Sequence, residues 1–179
     1  MPFEHQYPLL EEWPENSSAD YEDDRWLARL GIDGHEEELL RAAAEDGHDL
    51  AMHALGLRCA DRREKKRWLC EAAHEGFVPA MYDFAMLCDE PRYRRAWLRR
   101  AADRGHLEAI YQLGLESDDA EERRHCFLKA AEEGHVPAMY ELGMLCTDPR
   151  ERSKWLQDAA RRGCEAAVVK LAEAGNSLT

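Results

Sequence analysis

The chain has 179 residues, 45% hydrophobic and 34% charged, with a net charge of −13 and a mean hydropathy of −0.68. That length holds one domain or one short array, and that balance belongs to a folded chain with a heavily charged surface rather than to a disordered one. No apolar run reaches the roughly eighteen residues of a membrane-spanning helix, and the acidity argues against a phosphate-backbone partner such as nucleic acid.

The charge is uneven along the chain. Residues 1–24 hold eight acids and no Lys or Arg, so they contribute −8 and the remaining residues −5. The opening stretch has no basic region ahead of an apolar core, unlike a secretory signal, and the expected location is the cytoplasm. Residues 1–17 read as an acidic arm carrying Phe3, Tyr7, Leu9, Leu10 and Trp13. Five large apolar residues leave two roles open: a lid folded onto the rest of the chain, or a short linear motif that another protein reads. Trp13 is a candidate contact in either role.

From residue 18 onward the chain is organised by one motif. Ala-Ala-x-x-Gly occurs five times, at Ala43–Gly47, Ala72–Gly76, Ala101–Gly105, Ala130–Gly134 and Ala159–Gly163, always 29 residues apart. Other columns share the period. Ala51, Ala80, Ala109, Ala138 and Ala167 are invariant; Trp68, Trp97 and Trp155 align, with Cys126 in the remaining place; Gly56, Gly114 and Gly143 alternate with Ala85 and Ala172. A fixed period of this length marks a repeat array, in which each unit buries its faces only against its neighbours.

Each unit reads as two helices. Helix A, for example about 137–146, places Ala138, Leu142 and Leu145 at i, i+4 and i+7. Helix B, about 149–162, carries Trp155, Leu156, Ala159 and Ala160 inward. Asp61, Asp119 and Asp148, with Glu90 in the same column, stand as N-caps of helix B, and Glu64, Glu122 and Glu151 follow at the capping-box spacing. Pro91 and Pro149 suit the first helical position. The glycine of each motif ends helix B, because a left-handed C′ residue is inexpensive only for glycine. The predicted pairs are 18–47 (a degenerate capping pair with Trp26 and Leu30), 48–76, 77–105, 106–134 and 135–163, then a closing helix 164–175 and a tail 176–179. In all, about eleven helices are expected.

The six cysteines form no CxxC. In a reduced compartment they read as small buried residues, and Cys59, Cys88 and Cys146 share a column with Ser117. His48, His106 and His135 follow the motif glycine in one column and read as turn residues rather than metal ligands. Cys59, Cys70, His53 and His74 are the one set that spacing allows to meet at a junction, and nothing demands it. No catalytic residue, metal site or cofactor is expected.

These columns resemble the Sel1-like repeat, a relative of the tetratricopeptide repeat: an Ala, then Leu-Gly, later Trp and Ala-Ala-x-x-Gly, here Ala138, Leu142-Gly143, Trp155 and Ala159–Gly163. The match covers roughly 35–175. The unit is about seven residues shorter than usual, because a tight turn such as "CTDP" joins helices A and B. The resemblance implies an all-α fold, a right-handed solenoid of stacked antiparallel helix pairs, with helix A lining the concave face. The disulfides of secreted members are not expected, since the second Ala of each motif occupies the first cysteine's place.

Columns that repeat are read as structural, and columns of helix A that vary as free of packing. The variable stripes are Ala54, Asp83, Gln112, Glu141 and Lys170; Leu50, Pro79, Glu108, Pro137 and Ala166; and Arg58, Leu87, Glu116, Leu145 and Ala174. By the resemblance they face the groove, flanked by Tyr82, Tyr111 and Tyr140. Candidate partner-binding residues are therefore Arg58, Tyr82, Asp83, Tyr111, Gln112, Glu116, Tyr140 and Glu141, besides Trp13. The plainer alternatives remain: solvated acids and half-buried packing tyrosines. The function expected is a non-enzymatic, monomeric adaptor gripping a protein or peptide with basic residues; the resemblance implies the adaptor role, which family members fill in bacterial signalling, envelope and secretion systems. The alternative is a cytoplasmic immunity or inhibitor protein that neutralises a toxin or effector.

Overall fold

The computed structural model describes residues 36–176. The arm, Trp13, the first helix of the capping pair with Trp26 and Leu30, and the last three residues lie outside them. The described residues form ten helices and no strand: α1 (Glu36–Glu45), α2 (Asp49–Arg58), α3 (Arg62–His74), α4 (Val78–Met86), α5 (Pro91–Asp103), α6 (Leu107–Glu116), α7 (Ala120–Glu132), α8 (Val136–Leu145), α9 (Pro149–Arg161) and α10 (Glu165–Asn176). Each helix packs on the next in chain order, from α1 to α10. The result is an all-α solenoid of stacked helix pairs, with even-numbered helices as A and odd-numbered ones as B.

The Ala-Ala-x-x-Gly motif is a complete helix terminator. All five motif glycines have positive φ, between 86° and 101°. In each, the glycine N–H bonds the second alanine's carbonyl and the next residue's N–H bonds the first, as in Gly105→Ala102 and His106→Ala101, both 3.0 Å. This is the Schellman arrangement, and it satisfies carbonyls that the helix end would orphan. Both alanines are also buried at most of the five sites, with Ala72, Ala73 and Ala101 at 0% exposure. The two letters thus serve cap and core together.

The glycines of helix A have a different reason. A Cβ on Gly56, Gly114 or Gly143 would stand 2.8, 2.6 or 3.0 Å from Leu69, Phe127 or Leu156 of the following helix B. The small A column is therefore the slot into which the large B column packs. The core side of α8 is Ala138, Met139, Leu142, Gly143 and Cys146; Leu145 is 38% exposed. The buried face is centred on the 138/142 edge, and Leu145, a member of the variable column with Arg58, Leu87 and Glu116, lies off it.

The starts of helix B are capped by Asp61, Asp119 and Asp148, whose carboxylates accept from N–H groups two residues on, and for Asp61 also three. Glu90 makes no such bond. The glutamates at capping-box spacing are used elsewhere. Glu64 binds Arg41 (3.1 Å), Glu151 binds Arg124 (2.9 Å), and Glu122 takes both Arg99 (3.2 Å) and the Ser117 hydroxyl (2.6 Å). They tie one repeat to another rather than closing their own helix.

Candidate functional site

The helix-A face is built by the joint between one repeat and the next. The residue after each motif glycine is both the last residue of the helix-B terminator and the N-cap of the next helix A. In His106 and His135 the ring Nδ1 accepts from the N–H of Ala109 (3.3 Å) and Ala138 (3.2 Å). That requires a neutral ring. Burial lowers both pKa values, outweighing the Glu108 carboxylate and, at His106, also Asp83. Glu108 lies 3.5 Å from the same His106 nitrogen, but a nitrogen that accepts a backbone bond holds no proton to share, so the cap prevails.

Each capping ring also receives an aromatic from the previous helix A. His53 meets Phe77 with centroids 5.0 Å apart, Tyr82 stacks on His106 at 4.8 Å and 18°, and Tyr111 meets His135 at 4.7 Å. The tyrosine column is thus half-buried in a ladder that ties neighbouring A helices together. Tyr140, at the end of the ladder, packs against the core as well. Burial raises the Tyr82 pKa, with Asp83 and Glu108 adding to it; burial and Glu141 do the same for Tyr111. The phenols of Tyr82 and Tyr111 stay protonated beside these carboxylates.

The candidate residues divide by what already holds them. Asp83 is half-buried and bonded to His53 Nε2 at 2.7 Å. Gln112 and Glu141 stand at the same position in the next two repeats, half-buried on helices α6 and α8. Glu116 lies at the end of α6, 20% exposed and 3.4 Å from Arg94, so it belongs to the seam with helix B. Arg58 is exposed at the end of α2. Of the set His53, His74, Cys59 and Cys70, His53 bonds Asp83 and His74 packs edge-on against Trp97 at 5.0 Å. No group of three potential metal ligands occurs among the described residues. No disulfide forms among the described residues, and burial raises the thiol pKa of Cys88, Cys126 and Cys146, which makes those three poor nucleophiles.

Two features escape a reading based on variable columns. First, Leu57, Met86, Leu115 and Met144 occupy one column of helix A, 29 residues apart, and are 50, 44, 46 and 44% exposed. They repeat, yet they stand apart from the buried core and leave about half of each residue open. The column lies six residues beyond the invariant alanine, roughly 240° around the helix at about 100° per residue, which is the signal that places it off the core. Second, Arg94, Arg123 and Arg152 form a column on helix B. Each guanidinium donates twice to the last carbonyl of the preceding turn, at Cys88, Ser117 and Cys146, over 2.6–3.2 Å. Arg104 and Arg162 likewise reach back to the Gly76 and Gly134 carbonyls.

The two helix sets consequently differ in charge. Helices α3, α5, α7 and α9 carry seventeen Lys or Arg against eight acids. Helices α2, α4, α6 and α8 carry only Arg58 against five acids. The A face is acidic and apolar, and the B face is basic, with part of its charge taken up by ion pairs and carbonyls.

No family model matches the chain, and no curated protein matches it by sequence. Solved structures do match. The protective antigen c5321 of uropathogenic Escherichia coli, which displays an SLR fold, aligns over 77% of this chain and 36% of its own, with TM-score 0.70 and 25% identity. A Sel1 repeat protein from Oxalobacter formigenes aligns over 77% and 48%, with TM-score 0.68 and 23% identity. The chain spans between a third and a half of the length of these two. Immunity protein PA5088 from Pseudomonas aeruginosa aligns over 85% and 69%, with TM-score 0.55 and 21% identity. No helix among the described residues is long and apolar enough to cross a membrane. With its 29-residue columns, its terminator motif and these likenesses, the chain has the fold of Sel1-like repeat solenoids.

Proposed function

We propose that the chain is a non-enzymatic, cytoplasmic, monomeric scaffold that binds another protein or peptide through its helix-A face. The observation that carries this reading is the division between the two faces. The helix-B face spends its charges on its own carbonyls and on neighbouring repeats, whereas the helix-A face presents acids, phenols and exposed apolar side chains. Hot spots favour aromatic and apolar anchors in such settings, with charges setting specificity and rate. Cysteines that stand in buried core positions, as Cys70, Cys88 and Cys146 do, support a reducing compartment.

A second reading is a cytoplasmic immunity or inhibitor protein. The net charge of −13 supports it, since an acidic surface suits plugging a basic active site, and so does the likeness to immunity protein PA5088. One-to-one, tight, salt-sensitive binding to a single toxin or effector separates it from a looser adaptor role.

The test is retention of partners by the tagged full chain from its native host, at low and high salt. Asp83→Lys/Glu141→Lys on the A face is compared with Arg92→Glu/Arg99→Glu on the B face. Loss of the partner with the A-face pair alone is expected. Retention by the A-face variant and loss by the B-face variant overturns the assignment.

A further inference from the structure

The exposed column Leu57, Met86, Leu115 and Met144 needs an explanation of its own. A single exposed apolar residue is ordinary. Four in register on four successive repeats make a continuous ridge. The same chain buries Met52, Met81 and Met139 to 8, 0 and 3% exposure on the opposite side of the same helices, so these helices have a core side and leave a second apolar side open. Leu145, 38% exposed, widens the ridge at its end. Leu and Met are unbranched at Cβ, and Met in particular adapts to irregular partners.

The surroundings of the ridge are mainly acidic, with Arg58 beside Leu57 the one cation on helices α2, α4, α6 and α8. Three residues before the ridge positions stand Ala54, Asp83, Gln112 and Glu141. Just beyond it, each A helix ends at a turn that carries Asp61, Asp89, Asp119 or Asp148. Arg94, Arg123 and Arg152 cover the carbonyls at three of these ends and Arg62 pairs with Asp89, so the acidic excess rests on the helix-A acids and the remaining turn aspartates. This argues against two occupants. A second copy would bring the same acidic face against itself. The chain's own first 24 residues hold eight acids and no Lys or Arg, so they too bring like charge.

Resting on the reading above that the helix-A face binds protein, we propose that this ridge is the docking site for a cationic amphipathic segment of the partner, with apolar residues in the seam and Lys or Arg along both borders. The His53–Asp83 bond of 2.7 Å joins α2 to α4, so the A helices lie side by side and the ridge crosses them. Packed helices lie about 8–10 Å apart. Seven residues of an α-helix rise about 10.5 Å. A partner helix lying across the repeats therefore offers one apolar residue per repeat when they are spaced seven apart.

The experiment uses the full chain with ¹³C-methyl-labelled methionine and three synthetic peptides. One has Leu at heptad spacing flanked by Lys. The second has Glu in place of Lys, and the third has Ser in place of Leu. The expected result is that the Leu/Lys peptide alone shifts the Met86 and Met144 methyl signals, leaves Met52, Met81 and Met139 in place, and binds more weakly as salt rises. Leu57→Ser/Leu115→Ser should weaken that binding at least tenfold while the buried methionine signals stay unchanged. Binding that leaves Met86 and Met144 unmoved, equal binding of the Glu peptide, or no binding by any peptide overturns the ridge. None of these results touches the scaffold reading, which fails only if the native partner survives A-face charge reversal.

Discussion

Helices A and B alternate along one chain and share one core, but their outer faces have different tasks. On helix B, conspicuous charges are structural. Arg94, Arg123 and Arg152 close the ends of helices, and Arg41, Arg99 and Arg124 reach glutamates of the following repeat. On helix A, charges are few and mostly acidic, and the exposed column is apolar. The lesson is that charge density alone does not mark an interface. The more highly charged face commits many of its guanidiniums to carbonyls and glutamates, while the sparsely charged face leaves a column of apolar side chains exposed.

The sharpest way to break this division is to damage what both helices share. Phe127 is 1% exposed and packs into the slot above Gly114. Phe127→Ala should cost about 3–5 kcal/mol by lost burial and cavity formation, read as a lower denaturant midpoint. A loss under about 1 kcal/mol would mean that the A–B seam is looser than described. Next comes the joint. Gly105 has φ +86° and nothing within 4 Å of an added Cβ, so Gly105→Ala isolates the backbone term and should cost about 1–2 kcal/mol.

A smaller effect concerns the ladder. His106 and His135 have pKa values below 6.5, and burial likewise lowers His74, with Arg100 adding to it. Because the folded rings resist protonation, the unfolded chain takes up protons first as pH falls through 6.5. Stability contributed by the neutral rings is therefore present above that value and declines below it until the folded rings also protonate. The midpoint temperature should fall between pH 7 and pH 5.5. In His106→Asn/His135→Asn, where asparagine caps without titrating, the fall should be shallower; an unchanged slope would remove the rings from the account.

Much of this was legible in the sequence. The 29-residue period gave the helix pairs and the motif glycines their left-handed ends, because both are local and each repeat tests the others. The capping-box reading failed in part: Glu64, Glu122 and Glu151 have the right spacing, but in an array a nearby arginine of another repeat competes for them. The Leu57–Met144 column was missed for a related reason. Repetition was taken to mean packing, and a repeated binding surface obeys the same period. Nor does spacing show that Asp83 is tied to His53, or Glu116 to Arg94, since both pairs cross between repeats.

The most direct test of the two-faced account needs no partner. The full chain is treated briefly with dilute hydrogen peroxide in native buffer, and sulfoxide is located by peptide mass spectrometry. Exposure governs the rate, so Met86 and Met144 should oxidise together and early, while Met52, Met81 and Met139 follow only on unfolding. Protection of Met86 and Met144 at the level of the buried three would contradict an open apolar ridge on helix A.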